Sequence, residues 1–268
     1  MTLTWIDTHV HWDAAEFDAD RALALPRARA AGVVACLNPA VRVDGFDKVR
    51  TLAETSLQYA AWPRILPAYG IHPLYVDTAT ANDLATLDRY LSAHRPVAMG
   101  EIGLDAYTGA PDMLQQQRIF EAQLALAVQH QLPVLLHVRH AVEAVIQSLK
   151  RIQGSKNRLP GGIAHAFNGS ESQAEQLIRM GFLLGFGGSL TYEGSRRIRR
   201  LASSLPLSSI VLETDAPDMS PVWLHPARNE PAALPKIAAT LAKLRDIDDG
   251  CLSEQTTENA RRLLPALA

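Results

Sequence analysis

Short apolar runs alternate with longer amphipathic stretches along the chain. The short runs are rich in branched side chains and are bounded by glycine, proline or asparagine, which is typical of buried β-strands. We predict eight strands, at residues 4–8, 33–38, 65–70, 97–101, 134–137, 162–165, 183–186 and 210–213. The seventh is the weakest prediction, because Gly185, Gly187 and Gly188 crowd it.

Each predicted strand is followed by a stretch with helical periodicity. Apolar side chains recur there at intervals of three and four residues, which predicts a helix with one buried face. The predicted helices cover residues 20–31, 46–56, 81–93, 113–131, 141–151, 172–180, 195–201 and 231–245. An extra C-terminal helix is predicted at 253–264, with Ser253 near its start.

Eight strands that alternate with helices predict a parallel sheet with helical crossovers. Eight repeats in 268 residues favour a closed (β/α)₈ TIM barrel, in a single domain that spans residues 1–268. The alternative is an open, doubly wound sheet. That fold needs only five or six strands and carries a glycine-rich loop after the first strand. Here His9, Val10 and His11 occupy that position.

The composition changes this picture only slightly. The chain is 47% hydrophobic and 20% charged, which is ordinary for a globular protein. Its formal net charge of −2 excludes a global positive field that would attract nucleic acid. A phosphodiester substrate would therefore have to be attracted locally, by a metal ion or a few arginines.

The cysteine content and the hydropathy of the chain predict its cellular compartment. Cys36 and Cys251 both stand in apolar surroundings, so we expect two buried thiols rather than a disulfide. The sequence has no signal-peptide pattern and no apolar run of about 18 residues. We predict a cytoplasmic protein with no membrane association and no obligatory protein partner.

Polar residues with metal-binding or acid–base chemistry concentrate where the predicted strands end. In a barrel those ends converge on one face, where active sites lie. These residues are His9, His11, His72, Glu101, Asp105, His137, Arg139, His165 and Asp215.

His9 and His11 are separated by one residue, so both imidazoles point to the same side of an extended chain. Two such ligands can grip one divalent ion. Glu101 directly follows a buried strand, where a carboxylate is costly unless it is paired or binds a metal. It either bridges two metal ions or forms an ion pair with Arg139.

His137 and His165 end successive strands and suit a second metal ion as neutral imidazole ligands. Asp215 is the favoured ligand and general base. Glu213 lies deeper on the same side of the strand, and we expect it to orient a histidine.

Three further residues are candidates for substrate contacts. His72 either touches a substrate oxygen or caps a loop. Arg139 either clamps a phosphate or pairs with Glu101 or Asp105. Asn229 is predicted to orient a loop near the mouth of the barrel, and we place it among the substrate-binding residues.

Six motifs together resemble the TatD family of metal-dependent deoxyribonucleases, a branch of the amidohydrolase superfamily. They are Ile-Asp-Thr-His-Val-His (6–11), Gly-Ile-His-Pro (70–73), Gly-Glu-Ile-Gly-Leu-Asp (100–105), Pro-Val-Leu-Leu-His (133–137), His-Ala-Phe-Asn-Gly (165–169) and Leu-Glu-Thr-Asp-Ala-Pro (212–217). The match continues through Arg-Asn-Glu-Pro (228–231) and Glu-Asn-Ala-Arg-Arg-Leu-Leu (258–264), so it covers nearly the whole chain.

The resemblance implies a TIM barrel with a binuclear divalent-metal site. It implies that His9, His11, Glu101 and Asp215 hold one ion and that Glu101, His137 and His165 hold the other. His72 would contact the substrate and act in catalysis with Asp215 and Glu101. It further implies a magnesium-dependent 3′-to-5′ exonuclease acting on single-stranded DNA ends, with zinc, manganese or nickel as ions that crystals carry.

Two other hypotheses stay open at this point. The same metal centre would also serve hydrolysis of a small-molecule ester, amide or lactone. The second of these hypotheses is a metal-binding protein that catalyses no reaction. A complete ligand set with a candidate base argues against it.

Overall fold

Eight parallel strands form the centre of the molecule. The computed structural model describes residues 3–107, 109, 112–153 and 158–267. The strands are β1 (Trp5–Asp7), β2 (Val33–Pro39), β3 (Arg64–Tyr69), β4 (Ala98–Gly103), β5 (Val134–His137), β6 (Gly162–Ala164), β7 (Phe182–Phe186) and β8 (Ile210–Leu212). They pair in sequence order, which confirms all eight predicted strands.

The sheet closes through the segments that follow β1 and β8. The Thr8 amide donates to the Leu212 carbonyl at 3.0 Å, and the Asp215 amide donates to the His9 carbonyl at 2.8 Å. These bonds complete the predicted TIM barrel. They also bring His9 next to Asp215, although the two lie at opposite ends of the sequence.

Nine α-helices lie in the described part of the chain. They are α1 (Arg21–Ala30), α2 (Phe46–Ser56), α3 (Ala81–His94), α4 (Met113–His130), α5 (Val142–Gln153), α6 (Glu171–Arg179), α7 (Arg196–Ser204), α8 (Leu234–Arg245) and α9 (Asp249–Leu263). The last helix begins earlier than the predicted residue 253. Asp248 caps it there, since its carboxylate accepts a hydrogen bond from the Cys251 amide at 2.9 Å.

The barrel interior is an apolar cluster made of alternate strand residues, as the two-residue period of a strand requires. Its members are Ile6, Ala35, Leu37, Leu66, Ala68, Ala98, Leu135, Ile163, Leu183 and Val211. Ala260, Leu264 and Leu267 pack against the same cluster. The C-terminal helix therefore closes the end of the barrel at which the strands begin.

Two of the glycines that weakened the seventh strand prediction, Gly185 and Gly187, make room for Glu213. A Cβ atom on Gly185 would collide with the carboxylate of Glu213, and one on Gly187 would lie 2.8 Å from the Glu213 carbonyl oxygen. Strand β7 forms without a side chain at Gly185 because the buried Glu213 carboxylate occupies the space, and Gly187 lies just after the strand. The glycines thus reflect the site rather than a break in the sheet.

The two cysteines are both free thiols, but only one is buried. Cys36 lies within β2, whereas Cys251 is exposed on α9. The prediction of two buried thiols is wrong for Cys251, because it is the neighbouring Leu252 that faces the core. Among the described residues, none of the helices combines the length and the apolar character that crossing a bilayer requires.

Asn259 fastens α9 to the barrel and gives a test of this closure. It is fully buried, and its Nδ2 donates to the carbonyls of Leu207 and Ile210, each at 2.8 Å. We expect Asn259→Ala to lower the free energy of unfolding by about 2–4 kcal/mol, because two buried carbonyls lose a donor. Urea denaturation measures this, with Glu258→Ala on the exposed side of the same helix as the control. Equal midpoints for the two variants would contradict the prediction.

Candidate metal centre

Strand alternation carries polar side chains to the mouth of the barrel, where the strands end. Leu135 and Ile163 point into the barrel interior. Residues two positions later point the same way, so His137 and His165 lie directly above the apolar interior. The fold therefore brings the residues at the strand ends together on one face of the barrel, as predicted.

Glu101 lies at the centre of this polar cluster and is 2% exposed. Its Oε2 is 3.1 Å from His9 Nε2 and 3.6 Å from His11 Nε2. Asp215 Oδ1 lies 3.7 Å and 3.6 Å from the same two nitrogens, which are 3.2 Å apart. Four potential ligand atoms from four residues therefore face one another; we call them the first donor group.

The other oxygen of Glu101 faces a second donor group. Glu101 Oε1 is 2.8 Å from His137 Nδ1, 3.4 Å from His72 Nε2 and 3.6 Å from His165 Nε2. His72 Nε2 and His137 Nδ1 are 3.0 Å apart. One carboxylate thus joins two sets of imidazoles through its two oxygens.

The donor spacing fits a divalent cation. A tetrahedral ion with ligands at about 2.0–2.1 Å separates its ligand atoms by about 3.3 Å. The separations measured in the first donor group run from 3.1 to 3.7 Å. The two imidazole nitrogens, 3.2 Å apart, can either share one proton in a hydrogen bond or ligate the same metal ion.

Electrostatics point the same way. Burial lowers the pKa of His9 to about 3, so its imidazole is neutral and available as a ligand at physiological pH. Burial also opposes a charge on His165, but the carboxylates of Asp215 and Glu213 outweigh it and raise its pKa to about 10. Burial disfavours the Glu101 carboxylate, yet the surrounding imidazoles hold the pKa of Glu101 well below its usual range. The cluster requires positive charge, which metal ions supply in place of protons.

Two carboxylates orient imidazoles from behind. Asp105 Oδ2 is 2.9 Å from His137 Nε2, and Glu213 Oε1 is 3.3 Å from His165 Nδ1. The Asp105 contact is a hydrogen bond, which sets the tautomer of His137 and directs its Nδ1 towards Glu101, while the Glu213 carboxylate faces His165 at ion-pair distance. Glu213 lies where the sequence predicted, beside a histidine. The role of Asp105 was missed, although its place at a strand end was the available signal.

Two glutamines on α4 hold the loops that carry the site, and sequence reasoning missed both. Gln123 accepts from the Ile71 amide at 2.7 Å and donates to its carbonyl at 3.0 Å. Gln116 does the same for Asp105, at 2.7 Å and 2.8 Å. The backbone beside His72 and at Asp105 is therefore clamped by buried amides. Two glutamines seven residues apart on an apolar helix face were the signal.

His72 caps a loop, which is one of its two predicted alternatives, while contact with a substrate oxygen stays a prediction. Its Nδ1 accepts a hydrogen bond from the Leu74 amide at 3.1 Å, which caps the turn that follows. Its Nε2 faces Glu101 in the second donor group. The loop contact thereby holds the ring in position at the floor of the mouth.

Asn229 requires a correction. It is fully buried, and its Nδ2 donates to the carbonyls of Thr214 at 2.9 Å and Asp218 at 3.0 Å. The amide is buried and does not line the cavity, so the assignment of Asn229 to the substrate-binding residues is wrong, while its predicted role of orienting a loop agrees with these contacts. Asn229 instead fastens the loop that carries Asp215.

A cavity of about 1310 Å³ opens over the donor groups, and Arg139 lies on its wall. The Arg139 guanidinium stacks on the Tyr107 ring, 3.7 Å from its centroid. Within the described ranges Arg139 forms no ion pair, so the alternative of a pair with Glu101 or Asp105 is wrong. Its predicted contact with a phosphate stays a prediction.

Comparison with known proteins identifies relatives along nearly the whole chain. The family described as TatD related DNase matches residues 6–265. YjjV of Escherichia coli K12, described as an uncharacterized metal-dependent hydrolase, is 36% identical over 249 residues, which cover 91% of this chain and 92% of YjjV. A protein of Erwinia tasmaniensis described as the 3′-5′ ssDNA/RNA exonuclease TatD is 35% identical over 262 residues, covering 96% of this chain and 98% of the relative.

The fold agrees with these matches. The crystal structure of E. coli YjjV superposes with a TM-score of 0.91 at 33% identity and covers 99% of each chain. A family match over most of the chain, relatives above 30% identity and the same barrel lead to one conclusion. The chain belongs to the TatD family of metal-dependent hydrolases.

Proposed function

We propose that this hydrolase is a deoxyribonuclease that cleaves phosphodiester bonds at the ends of single-stranded DNA, in the 3′-to-5′ direction, with two divalent metal ions. The observation that carries the binuclear site is Glu101, whose two oxygens face two separate donor groups. The exonuclease activity is supported by the relative described as a 3′-5′ ssDNA/RNA exonuclease.

The ligand assignment takes the first donor group whole and the second without His72, which is assigned to the substrate. One ion would be held by His9, His11, Glu101 and Asp215, and the other by Glu101, His137 and His165. When bound, such ions supply positive charge that polarises the phosphoryl group and makes water more acidic. We propose Mg²⁺ as the working ion, while the nitrogen-rich donors also fit Zn²⁺, Mn²⁺ or Ni²⁺.

Asp215 is the proposed general base. Its side chain is 15% exposed and borders the cavity, whereas the Glu101 side chain is only 2% exposed. Asp215 is therefore the carboxylate of the first donor group that an incoming water can reach, and it accepts the proton as that water attacks phosphorus. Its Oδ1 stays against His9 and His11, which keeps the carboxylate in place.

His72 and Arg139 are the proposed substrate contacts. Both line the cavity, His72 at the floor and Arg139 exposed on the wall. A guanidinium at this place offers planar donors to non-bridging phosphate oxygens. His72 supports the charge that develops on the phosphoryl oxygens as the bond breaks. A cytoplasmic location is part of the proposal, since the free thiols of Cys36 and Cys251 suit a reducing compartment.

Metal content tests the bridging role of Glu101. We expect the wild-type protein to bind two ions per chain and Glu101→Gln to lose both at low free metal, because the neutral amide offers one oxygen in place of two. Elemental analysis after dialysis measures the stoichiometry. Glu143→Gln is the matched control, because Glu143 lines the same cavity but bonds to Gln147 and Gln173 instead. A wild-type protein with one ion, or a Glu101→Gln variant with two, would rule the bridge out.

Hydrolysis of single-stranded DNA tests Asp215. Asp215 has a φ of 55°, a region that asparagine tolerates, so Asp215→Asn preserves the backbone. We expect kcat to fall by about 10²- to 10⁴-fold with unchanged thermal unfolding. Asp218→Asn, on the same cavity wall, should retain activity. Full activity of Asp215→Asn would refute the assignment, and turnover of esters without any of DNA would favour the small-molecule hydrolase.

His72 is tested by separating metal binding from turnover. If it contacts substrate, His72→Asn keeps both ions, because Glu101, His137 and His165 still hold the second. We then expect kcat/KM to fall by about 10²- to 10³-fold. His137→Asn, as the comparison, should lose the second ion. Loss of an ion from His72→Asn would make His72 a ligand instead.

A further inference from the structure

Helix α7 begins with an unusual concentration of positive charge. Four arginines stand within its first five residues, at Arg196, Arg197, Arg199 and Arg200. Between residues 194 and 212 the chain has no aspartate or glutamate. The protein as a whole has a net charge of −2, so this is a local feature.

Three of these four arginines are exposed to solvent and have no carboxylate partner in the described part of the chain. The exposed members are Arg196, Arg197 and Arg200, which we call the α7 arginine face. Arg199 turns inwards and donates to the Leu190 carbonyl at 2.9 Å. In the part of the chain that the structure describes, none of the four forms an ion pair, not even with the nearby Glu193. The face is therefore free to meet an anion.

Helix stability does not account for this pattern. Positive side chains in the first turn of a helix oppose its dipole, and like charges three or four residues apart repel each other. Stability alone would favour acidic residues here. The arginines accordingly point to a binding role.

The face is continuous with the metal centre. Arg197 and Ile198 line the cavity over the donor groups. Arg197 Nε donates to Asn168 Oδ1 at 2.9 Å, and Asn168 lines the same cavity. Arg196 and Arg200 extend from there along the outer surface of the helix. They offer a charged surface outside the cavity to a polymer whose end lies inside it, and they lie beyond the cavity lining that a small molecule would contact.

We propose that the α7 arginine face binds the sugar–phosphate backbone of single-stranded nucleic acid outside the cavity, and so makes the enzyme prefer long strands. The proposal rests on the proposed nuclease function. It narrows the substrate of that nuclease to an extended polyanion, rather than a nucleotide or a small ester. The complementary partner of three unpaired guanidinium groups is a run of phosphates.

Binding and hydrolysis of strands of different length test this surface. The variant is Arg196→Gln/Arg200→Gln, and the matched control is Arg29→Gln/Arg89→Gln, which removes two exposed arginines from α1 and α3. Metal-loaded protein is titrated with a fluorescent phosphorothioate strand of about 16 nucleotides, as DNA and as RNA, over a range of salt. Hydrolysis is compared for ordinary strands of about 4 and about 16 nucleotides.

We expect the variant to bind the long strand roughly 3- to 30-fold more weakly than wild type. The slope of log Kd against log salt should become shallower by about 1.4, which corresponds to two lost phosphate contacts on a single strand. The ratio of kcat/KM for the long strand to that for the short one should fall. The control variant should behave like wild type, and both should keep the wild-type melting temperature.

Unchanged affinity, salt slope and length preference in the variant would overturn the proposal while leaving the nuclease function intact. Arginine-dependent binding to anionic vesicles, with strand binding unaffected, would also overturn it. If wild type binds long strands through these arginines but hydrolyses none, the surface stands and the proposed nuclease activity fails.

Discussion

A buried carboxylate that faces imidazoles on both sides is the constraint on which the site depends. Transfer of such a charge out of water costs several kcal/mol unless nearby partners compensate for it. Glu101 has its partners in two groups, one per oxygen, and Asp215 and Glu213 add further negative charge close by. Neutral imidazoles alone do not balance three carboxylates. Positive charge close by therefore stabilises the cluster, and the donor spacing is compatible with divalent metal ions.

The barrel meets this requirement by separating its apolar and polar layers. Alternate strand residues fill the interior, α9 closes it from below, and the polar groups stand on the strand ends above. The loops beyond those ends are held by uncharged amides, from Gln116, Gln123 and Asn229. An amide satisfies both a backbone donor and a backbone acceptor without adding charge. The amides therefore hold the loops in place without changing the net charge around the donor groups.

The sequence was sufficient for the strands and for the residues at their ends, because both follow from local pattern. Short branched runs identify strands, and a histidine that ends such a run, as at His137, lies at the mouth in any parallel barrel. Contacts between distant elements were not predictable in this way. The Gln123 clamp on Ile71 depends on how α4 packs, and the burial of Asn229 depends on how its loop folds back.

Positions where the propensity of a residue disagrees with the observed structure also show that local sequence pattern does not predict contacts between distant elements. Gly185 weakens the seventh strand in any propensity scale, yet it is required because Glu213 fills the space of its side chain. Judged by residue type alone, Gly185 is a poor strand former. Its place in the strand is explained only by Glu213, which is its neighbour in three dimensions but not in the sequence. The early start of α9 is similar, since the capping Asp248 precedes the periodic apolar positions that marked the helix.

Backbone strain at the metal centre is tied to the same carboxylate. Ala166, directly after His165, has a φ of 45°, a left-handed conformation that costs alanine about 1–2 kcal/mol. Its amide donates to Glu213 Oε1 at 2.6 Å, and that oxygen also lies 3.3 Å from His165 Nδ1. Glu213 therefore orients the imidazole and holds the strained backbone beside it through one atom. Because the same oxygen faces both groups, the position of the His165 ring and the backbone geometry of Ala166 are coupled through Glu213.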